Sequence, residues 1–384
     1  MKDLDGITVI ALEQAVAAPY ASGRLAEAGA RVIKIEREEG DFARNYDDFV
    51  KGQSAYFVWL NAGKESVTLN LKSSVDAELL EHMLATADVF IQNLAPGALA
   101  RLGFDPEELH RRYPGLIICS ISGYGEDGPY RTQKAYDLLI QAETGLCSVT
   151  GIGEELTRVG VSVSDISAGM NAHQEILQAL FARERDPDRQ GRLINVSLFH
   201  ATADWMNVPY LQHHYGGFSP QNSGLRHPSI APYGAFTCSD GKQILLSIQN
   251  EREWARLCET VLGDAALASD PRFASNTDRL QHRAELETLM TEIFQRDDRE
   301  AVIRKLIDAD IAYGRVSQLE DLAHHPQNRY RIVDSPNGEI KALGRGAEVQ
   351  RQPAGNEENM NKPLRVPGIG QDNEKIRQEF GKPA

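Results

Sequence analysis

Residues 7–36 decide the fold of this chain: ITVIAL at 7–12 is followed by an Ala-rich stretch from Ala17 to Ala28 and by RVIKIE at 31–36. The two outer runs are short, apolar and rich in β-branched residues, which is typical of strands. The alanines between them favour a helix that ends at Gly29. The pattern predicts two parallel strands joined by a helix.

The same alternation continues over about the first 125 residues. SVTLNL, DVFIQN and LIICSIS predict further strands, and VDAELLEHMLATA and DPEELHRRYP predict the helices between them. Strands that alternate with helices across short connections indicate an α/β fold with a parallel, doubly wound sheet.

The rest of the chain predicts one more piece of this sheet and a second domain. An apolar run at 159–163 predicts a strand, and an amphipathic helix follows from Ile166 to Arg185. Residues 226–325 predict a smaller α+β domain. The predicted organisation is a large domain at 1–199, a linker at 200–225, the small domain at 226–325, and a linker with a C-terminal segment at 326–384.

The composition is that of an ordinary globular protein. Hydrophobic residues make up 41% of the 384 residues, and no apolar run approaches the roughly 20 residues that span a bilayer. The net charge of −14 opposes binding to a polyanion. The opening MKDLDG leaves no room for the apolar core of a signal peptide. We therefore expect a cytoplasmic protein with neither a membrane nor nucleic acid as partner.

Neither a metal site nor a nucleotide-phosphate loop is predicted. The four cysteines are widely spaced and form no CxxC pair. The first strand is followed by EQAVAAPY, which lacks the glycines of GxGxxG, so a dinucleotide site with Glu36 on the ribose is disfavoured. The P-loop pattern GxxxxGK[ST] is also absent.

Asp165 is the carboxylate best placed for chemistry, because it stands where a predicted strand ends and a long helix begins. A helix N-terminus stabilises a carboxylate by about 0.3 to 1 kcal/mol, so we expect Asp165 to be ionised near neutral pH and able to attack a thioester. An ordinary helix cap is the competing interpretation. Gly169, one turn later, is expected to leave room for a ligand close to the helix.

A second cluster follows the glycine-rich turn GYGEDGPY. It contains Lys134, Tyr136 and Asp137, which lie beyond the strand LIICSIS, where open α/β sheets bind ligands. By themselves these residues would be a surface cation, a core aromatic side chain and a helix cap.

Basic residues also recur just after the other predicted strands. Lys34 and Arg37 flank the end of the second strand, Lys72 follows SVTLNL, and Arg101 follows DVFIQN. Each one alone is expected to be an ordinary surface charge, but together they would form a patch suited to phosphates.

Taken together, the motifs resemble the class III CoA-transferase family, which includes formyl-CoA transferase, carnitine CoA-transferases and α-methylacyl-CoA racemases. The matching stretches appear in the family's order: LDGITVIALEQAVAAPYAS, GARVIKIEREEGDFAR, NAGKESVTLNLK, FIQNLAPGALARLGF, ISGYGEDGPY, VSDISAGMNAHQEILQALFARE, GRLINVSLF and APYGAFTCSDG.

The resemblance implies a Rossmann-like large domain, a smaller domain and an interlocked homodimer whose C-terminal segment returns to the large domain. It implies that Asp165 is the catalytic residue and that coenzyme A is a carrier substrate, with no other cofactor. Carboxylate chemistry then runs through a mixed anhydride and an aspartyl-CoA thioester. The CoA-binding residues expected from the resemblance and from the basic pattern are Val16, Ala17, Lys34, Arg37, Leu71, Lys72, Asn93, Arg101, Lys134 and Tyr136.

Within the family, the opening VIALEQAVAAPYAS with GDFAR resembles members that use succinyl-CoA and small carboxylic acids such as mesaconate, itaconate, citramalate or malate. Arg44, Arg226 and His227 are the candidate cations for a remote carboxylate. A 2-methylacyl-CoA racemase and a non-catalytic CoA-binding protein are the alternatives. Against the racemase, Tyr136 and Gln249 stand where racemases carry a histidine and, close by, a glutamate.

Overall fold

The computed structural model describes residues 2–219, 222–347, 349 and 363–381. The strands are β1 (Thr8–Leu12), β2 (Arg31–Glu36), β3 (Lys64–Thr68), β4 (Val89–Gln92), β5 (Ile117–Ser122), β6 (Gly151–Gly153), β7 (Glu155–Leu156), β8 (Leu193–Ser197), β9 (Asn222–Ser223), β10 (Tyr233–Thr237), β11 (Gln243–Ser247), β12 (Tyr313–Arg315), β13 (Tyr330–Asp334), β14 (Ile340–Leu343) and β15 (Leu364–Arg365). The helices are α1 (Ala17–Glu27), α2 (Ala55–Asn61), α3 (Ser74–Thr86), α4 (Ala98–Arg101), α5 (Pro106–Arg112), α6 (Asp137–Glu143), α7 (Val163–Arg185), α8 (Leu198–Trp205), α9 (Asn207–Gly216), α10 (Glu251–Arg256), α11 (Asn276–Gln281), α12 (Arg283–Phe294), α13 (Arg299–Asp308), α14 (Leu319–Ala323) and α15 (Asn373–Phe380).

The chain forms two units, whose limits differ from the predicted ones. The first unit contains the described residues of Met1–Cys147, Arg158–Leu211 and Arg329–Ala384, and the second contains those of Ser148–Thr157 and Gln212–Asn328. The short segment Ser148–Thr157, predicted within the large domain, therefore belongs to the second unit. It does so because β6 pairs with β9.

A six-stranded sheet in the order β3-β2-β1-β4-β5-β8 forms the centre of the first unit, and all its neighbouring strands are parallel. The predicted parallel α/β sheet is confirmed. Side chains of a strand alternate between the two faces. Val9 and Ala11 of β1 accordingly pack in one core with α1 and α7, whereas Ile10 and Leu12 pack in another with α3.

Gly169 has a different role from the one predicted. A Cβ atom at this position would lie 2.6 Å from the Ala17 carbonyl oxygen and 2.9 Å from Cβ of Tyr20. Gly169 therefore lets α7 approach α1 closely, and the space beside it is filled by α1. The expectation that it leaves room for a ligand is wrong.

Two local predictions also fail around α7. Residues 159–162 form no strand, so Asp165 follows an irregular segment. The predicted linker at 200–225 is largely helical, because α8 and α9 cover all of residues 200–216 except Met206. Ser197 begins α8 by accepting a hydrogen bond from the His200 N–H at 3.1 Å, a capping signal inside RLINVSLF that strand propensity concealed.

The second unit has its own antiparallel sheet and core. Strands β10, β11 and β12 are neighbours, and the core beside them contains Phe236, Ile244, Trp254 and Leu286. Helices α10, α12 and α13 accompany this sheet, as the predicted α+β domain requires, and a π-helical turn at Leu257–Leu262 continues α10.

The C-terminal segment is more regular than its composition suggests. It contains β13, β14, β15 and α15, while residues 350–362 of the predicted segment lie outside the described residues. The buried Ile376 of α15 joins the core around α3. In the part of the chain that the structure describes, no helix has the length and apolar character needed to cross a membrane.

Candidate active site

Asp165 lies in the first turn of α7, directly after the buried residues Val163 and Ser164. Its own side chain is partly exposed. Charges on Asp165, Asp41 and Tyr136 act on the phenol of Tyr46, which identifies these side chains as neighbours. Burial is the largest cause and these charges add to it, and together they raise the pKa of Tyr46 to about 12.

Asp137 holds the start of α7 from a neighbouring helix. Its Oδ1 accepts hydrogen bonds from the N–H groups of Ser164 at 2.7 Å and Asp165 at 3.3 Å, and its Oδ2 accepts one from Gln141 Nε2 at 2.8 Å. Asp137 was expected to cap its own helix; it caps α7 instead. Its carboxylate thus binds backbone amides that the first turn of a helix leaves without partners.

The pKa of Asp165 is raised to about 7, first by burial and then by the charge of Asp137. The expectation that the helix start keeps this carboxyl ionised near neutral pH is wrong, because its pKa is raised to about 7. The N–H groups of Ser164 and Asp165, which would stabilise a charge at the helix start, already donate to Asp137. Asp165 therefore has a negatively charged carboxylate beside it. Near pH 7 the group is present in both protonation states, and its ionised form is a nucleophile.

The loop after β1 is held in a strained conformation by two side chains. Ala15 has a φ of +64°, a left-handed value that is uncommon outside glycine. Its N–H donates to Asp41 Oδ1 at 3.1 Å, and Asn93 both accepts from and donates to the backbone of Gln14, at 3.0 and 2.8 Å. Asn93, a predicted CoA contact, thus positions the loop that leads into Val16 and Ala17.

Lys34 is buried and belongs to a network of charges inside the first unit. Its Nζ lies 2.9 Å from Asp41 Oδ2 and 3.5 Å from Glu13 Oε1, and Lys64 lies 2.6 Å from the same Glu13 oxygen. Burial opposes the charge of Lys34, but Glu13, Asp41 and Glu36 outweigh it and raise the pKa. The prediction that Lys34 belongs to an exposed phosphate-binding patch is wrong.

Arg44 also has an internal partner. It forms two hydrogen bonds with Glu36, at 2.7 and 2.8 Å, and lies over the ring of Phe57 at 3.6 Å. Burial disfavours the charge of Glu36, but the bonds from Arg44 and the charge of Lys34 lower its pKa to about 2. The prediction that Arg44 offers its cation to a substrate carboxylate is therefore wrong.

A cavity of about 720 Å³ opens at the carboxyl ends of β1, β2 and β3. Its lining includes three of the predicted CoA-binding residues, Arg37, Leu71 and Lys72. Arg101 is exposed beside Leu102, another lining residue. Arg37 and Arg101 form no ion pair with any other residue that the structure describes. The volume and the cations suit a phosphorylated ligand.

The remaining predicted residues fall into two groups. Lys134 and Tyr136 are exposed just before α6, on the approach to Asp137. Arg226 and His227 belong to the second unit, where Arg226 pairs with Glu287 at 3.0 Å and His227 stacks on Tyr233. Their roles stay predictions. No local pattern marks Arg377, which lines the cavity, because its partners Asp76 and Thr68 lie more than 300 residues away along the chain.

Comparisons with known proteins find relatives over almost the whole chain. A family model described as CoA-transferase family III matches residues 4–373. The chain is 33% identical to an acetyl-CoA:oxalate CoA-transferase from Acetobacter aceti, over 99% of this chain and 96% of that protein. It is 32% identical to a succinate–glutarate CoA-transferase from Agrobacterium fabrum, over 85% and 83%. A crystal structure of a CAIB/BAIF family protein from Brucella suis matches 99% of both chains, with a TM-score of 0.83 and 31% identity.

Proposed function

Because this chain belongs to CoA-transferase family III and is an enzyme of that class, we propose that it moves CoA from succinyl-CoA to a small dicarboxylic acid through Asp165. The observation that carries the proposal is the state of this one carboxyl. It is partly exposed, its backbone is held by Asp137, and its pKa of about 7 leaves a nucleophilic fraction at neutral pH.

In the proposed cycle, the Asp165 carboxylate attacks the thioester carbonyl and releases the CoA thiolate, which leaves a mixed anhydride. The thiolate then attacks the aspartyl carbonyl carbon, so the donor acid leaves and CoA is bound to Asp165 as a thioester. The acceptor carboxylate attacks this thioester, and the same two steps run in reverse. Each step exchanges one acyl bond for another, so no net proton or electron is consumed.

The oxyanion of each addition step needs hydrogen-bond donors. At the start of α7 the N–H groups of Ser164 and Asp165 already donate to Asp137. At the start of α1, the N–H groups of Val16 and Ala17 donate to none of the residues that the structure describes. We therefore assign the oxyanion-binding role to these two amides, which the strained Ala15 precedes.

We propose that the cavity at the ends of β1 to β3 holds the nucleotide part of CoA, with Arg37 and Lys72 as cations of its lining and Arg101 as a further cation next to the lining residue Leu102. Such contacts lie far from the reacting carbon, so they bind ground and transition states alike. Their removal should raise the Michaelis constant for acyl-CoA without lowering the turnover number.

The dicarboxylate acceptor is supported by the names of two relatives, which act on oxalate and on glutarate. Mesaconate, itaconate, citramalate and malate are the narrower candidates.

We also propose that the enzyme acts as an interlocked homodimer in the cytoplasm. Helices α7 and α8 expose large apolar side chains: Met170, Phe181 and Trp205 are 50%, 65% and 49% exposed. Exposed apolar groups of this size mark interaction surfaces. Light scattering after size-exclusion chromatography should give twice the chain mass of 42.5 kDa, and a mass equal to one chain would contradict the dimer.

A 2-methylacyl-CoA racemase is the second candidate, favoured by one observation. A carboxyl with a pKa of about 7 suits proton transfer at neutral pH. Against it, Tyr136 and Gln249 stand where racemases carry a histidine and, close by, a glutamate, and the Gln249 side chain, which hydrogen-bonds Ser247, is an amide without an ionisable group.

One experiment separates the candidates. The protein is incubated in deuterated water with a 2-methylacyl-CoA, first alone and then with succinate, while mass spectrometry follows deuterium uptake and new thioesters. A transferase forms succinyl-CoA with little deuterium at the α-carbon. Rapid deuterium uptake without a new thioester would replace the transferase with the racemase. If neither reaction occurs and no CoA moves from succinyl-CoA to a dicarboxylic acid, the protein would be a CoA-binding protein.

A further inference from the structure

We infer that Arg377, on the C-terminal helix α15, is a further binding residue for a phosphate group of CoA. The inference rests on the proposed function, since it takes the cavity beside Arg377 as the CoA site. Arg377 lines this cavity together with Arg37 and Lys72, so three cations from three separate parts of the chain surround it.

The helix that carries Arg377 is firmly attached to the sheet. Strand β3 lies at the edge of the sheet, and an edge strand has backbone N–H groups without a neighbouring strand. Asp372 accepts the N–H of Ser66 at 2.9 Å, and Asn373 accepts that of Thr68 at 2.8 Å. With Ile376 fully buried, these contacts give the Arg377 side chain a defined origin.

The guanidinium of Arg377 is oriented but not saturated. Its Nη1 donates to Asp76 Oδ1 at 2.8 Å, and its Nη2 donates to the Thr68 carbonyl at 3.2 Å. A guanidinium has five N–H donors in a planar fork. These two contacts leave further donors for a ligand, and the side chain is 40% exposed.

Asp76 connects Arg377 to the loop that carries Lys72. The second oxygen of Asp76 accepts the N–H of Asn70 at 2.8 Å, and the Asn70 side chain accepts the N–H of Lys72 at 3.1 Å. Asp76 thus pairs with Arg377 directly and, through Asn70, holds the backbone of the loop that carries Lys72. Burial opposes its charge, but Arg377 and the Asn70 amide lower the pKa of Asp76, so it stays ionised and holds Arg377 at neutral pH.

The three cations of the cavity, and not its net charge, favour a phosphate over a neutral group. Four carboxylates in the lining are already paired: Glu13 with Lys64, Glu36 with Arg44, Asp41 with Lys34 and Asp76 with Arg377. Two more, Glu38 and Glu39, are exposed and form no ion pair with any residue that the structure describes. The fork of an arginine matches two phosphate oxygens at once, and a phosphate dianion attracts several cations. CoA supplies two such groups, the 3′-phosphate and the pyrophosphate.

The test compares Arg377→Gln with Lys375→Gln. Lys375 is a cation on the same helix, but it pairs with Glu65 and lies outside the cavity lining. Each variant is assayed with succinyl-CoA, succinyl-3′-dephospho-CoA and succinyl-pantetheine. We expect Arg377→Gln to raise the Michaelis constant for succinyl-CoA roughly tenfold or more with an unchanged turnover number, and Lys375→Gln to change neither.

The three thioesters identify the group that is bound. An effect that disappears with the dephospho substrate assigns Arg377 to the 3′-phosphate. An effect that persists there and disappears with the pantetheine assigns it to the pyrophosphate. An unchanged Michaelis constant for succinyl-CoA, or the same loss with succinyl-pantetheine, would overturn the inference. The double variant Arg377→Gln/Asp76→Asn controls for the carboxylate left unpaired, and Arg377→Lys should restore part of the affinity.

Calorimetric titration with CoA separates this inference from the proposed function. If the CoA affinity depends on Arg377 but the protein transfers no CoA, the proposed transferase function is wrong and the inference about Arg377 stands. If the protein transfers CoA but its CoA affinity does not depend on Arg377, the inference about Arg377 is wrong and the proposed function stands.

Discussion

Asp137→Asn should shift the pH dependence of catalysis, because it removes a charge next to Asp165 and keeps an oxygen that can accept the N–H of Ser164. The pKa of Asp165 is about 7 against an ordinary 3.8, a difference of about three units (7 − 3.8) with burial as the larger cause and Asp137 as the smaller. Asp137 therefore accounts for less than half of the difference. We expect the substitution to lower the pKa of Asp165 by about one unit, equivalent to about 1.4 kcal/mol.

The sign follows from the like charges. Without the Asp137 carboxylate, the negative form of Asp165 is less disfavoured, so the acid limb of kcat/KM moves to lower pH. With a pKa of about 7, roughly a tenth of Asp165 is ionised at pH 6, and with about 6 the fraction is one half. The variant should therefore be about fivefold faster than the natural enzyme at pH 6 and equal to it at pH 8.5.

The assay is the initial rate of CoA transfer from succinyl-CoA between pH 6 and 9, where simple dicarboxylic acceptors are largely ionised. Glu143→Gln is the matched control, since Glu143 is an exposed carboxylate at the other end of α6. An acid limb that stays in place, moves to higher pH, or moves equally in the control would refute the coupling. The Asp137→Asn substitution also weakens the hydrogen bond that Gln141 donates to Oδ2, so the melting temperature is measured alongside.

Three further outcomes are expected. Asp165→Asn should abolish CoA transfer. It should also raise the free energy of unfolding at pH 8 but not at pH 3.5, because ionising this carboxyl destabilises the folded state as pH rises from about 4 to 7. Chemical denaturation at both pH values checks this, and equal effects would contradict the raised pKa. Gly169→Ala should cost about 1 to 3 kcal/mol by forcing α7 away from α1, whereas Gly160→Ala, whose Cβ meets open space, should cost far less in the same denaturation series. Arg44→Ala removes the arginine partner of the buried Glu36 carboxylate and should destabilise the protein by about 3 to 5 kcal/mol. Arg37 is exposed, so Arg37→Ala should leave the melting temperature nearly unchanged and weaken acyl-CoA binding.

The sheet and the helix that carries Asp165 were predictable because their signals are local. Each buried strand is a short apolar run, and the helix is recognised by its own periodicity. Strand ends of a parallel sheet lie at one edge, so Arg37 and Lys72 could be assigned to one cavity from their positions in the chain alone.

Local signals failed where a residue's role depends on a distant partner. Lys34 has the pattern of a surface cation at a strand end, and only the packing of Glu13 and Asp41 around it makes it internal. Asp137 has the pattern of a cap for the next helix, and only the tertiary structure directs it to α7. In both cases the charged residue is visible in the sequence, but its partner is determined by the tertiary structure.

The sequence by itself determined the parallel sheet, the family resemblance and the candidacy of Asp165, since these follow from patterns within about 20 neighbouring residues. Only the tertiary structure decided the pKa of Asp165, the loss of Lys34 and Arg44 from the candidate site, and the presence of Arg377 in the cavity. The physical reason is that burial and charge pairing are properties of the assembled core: Arg377 meets Asp76 across 301 residues of chain, a distance that no local pattern spans.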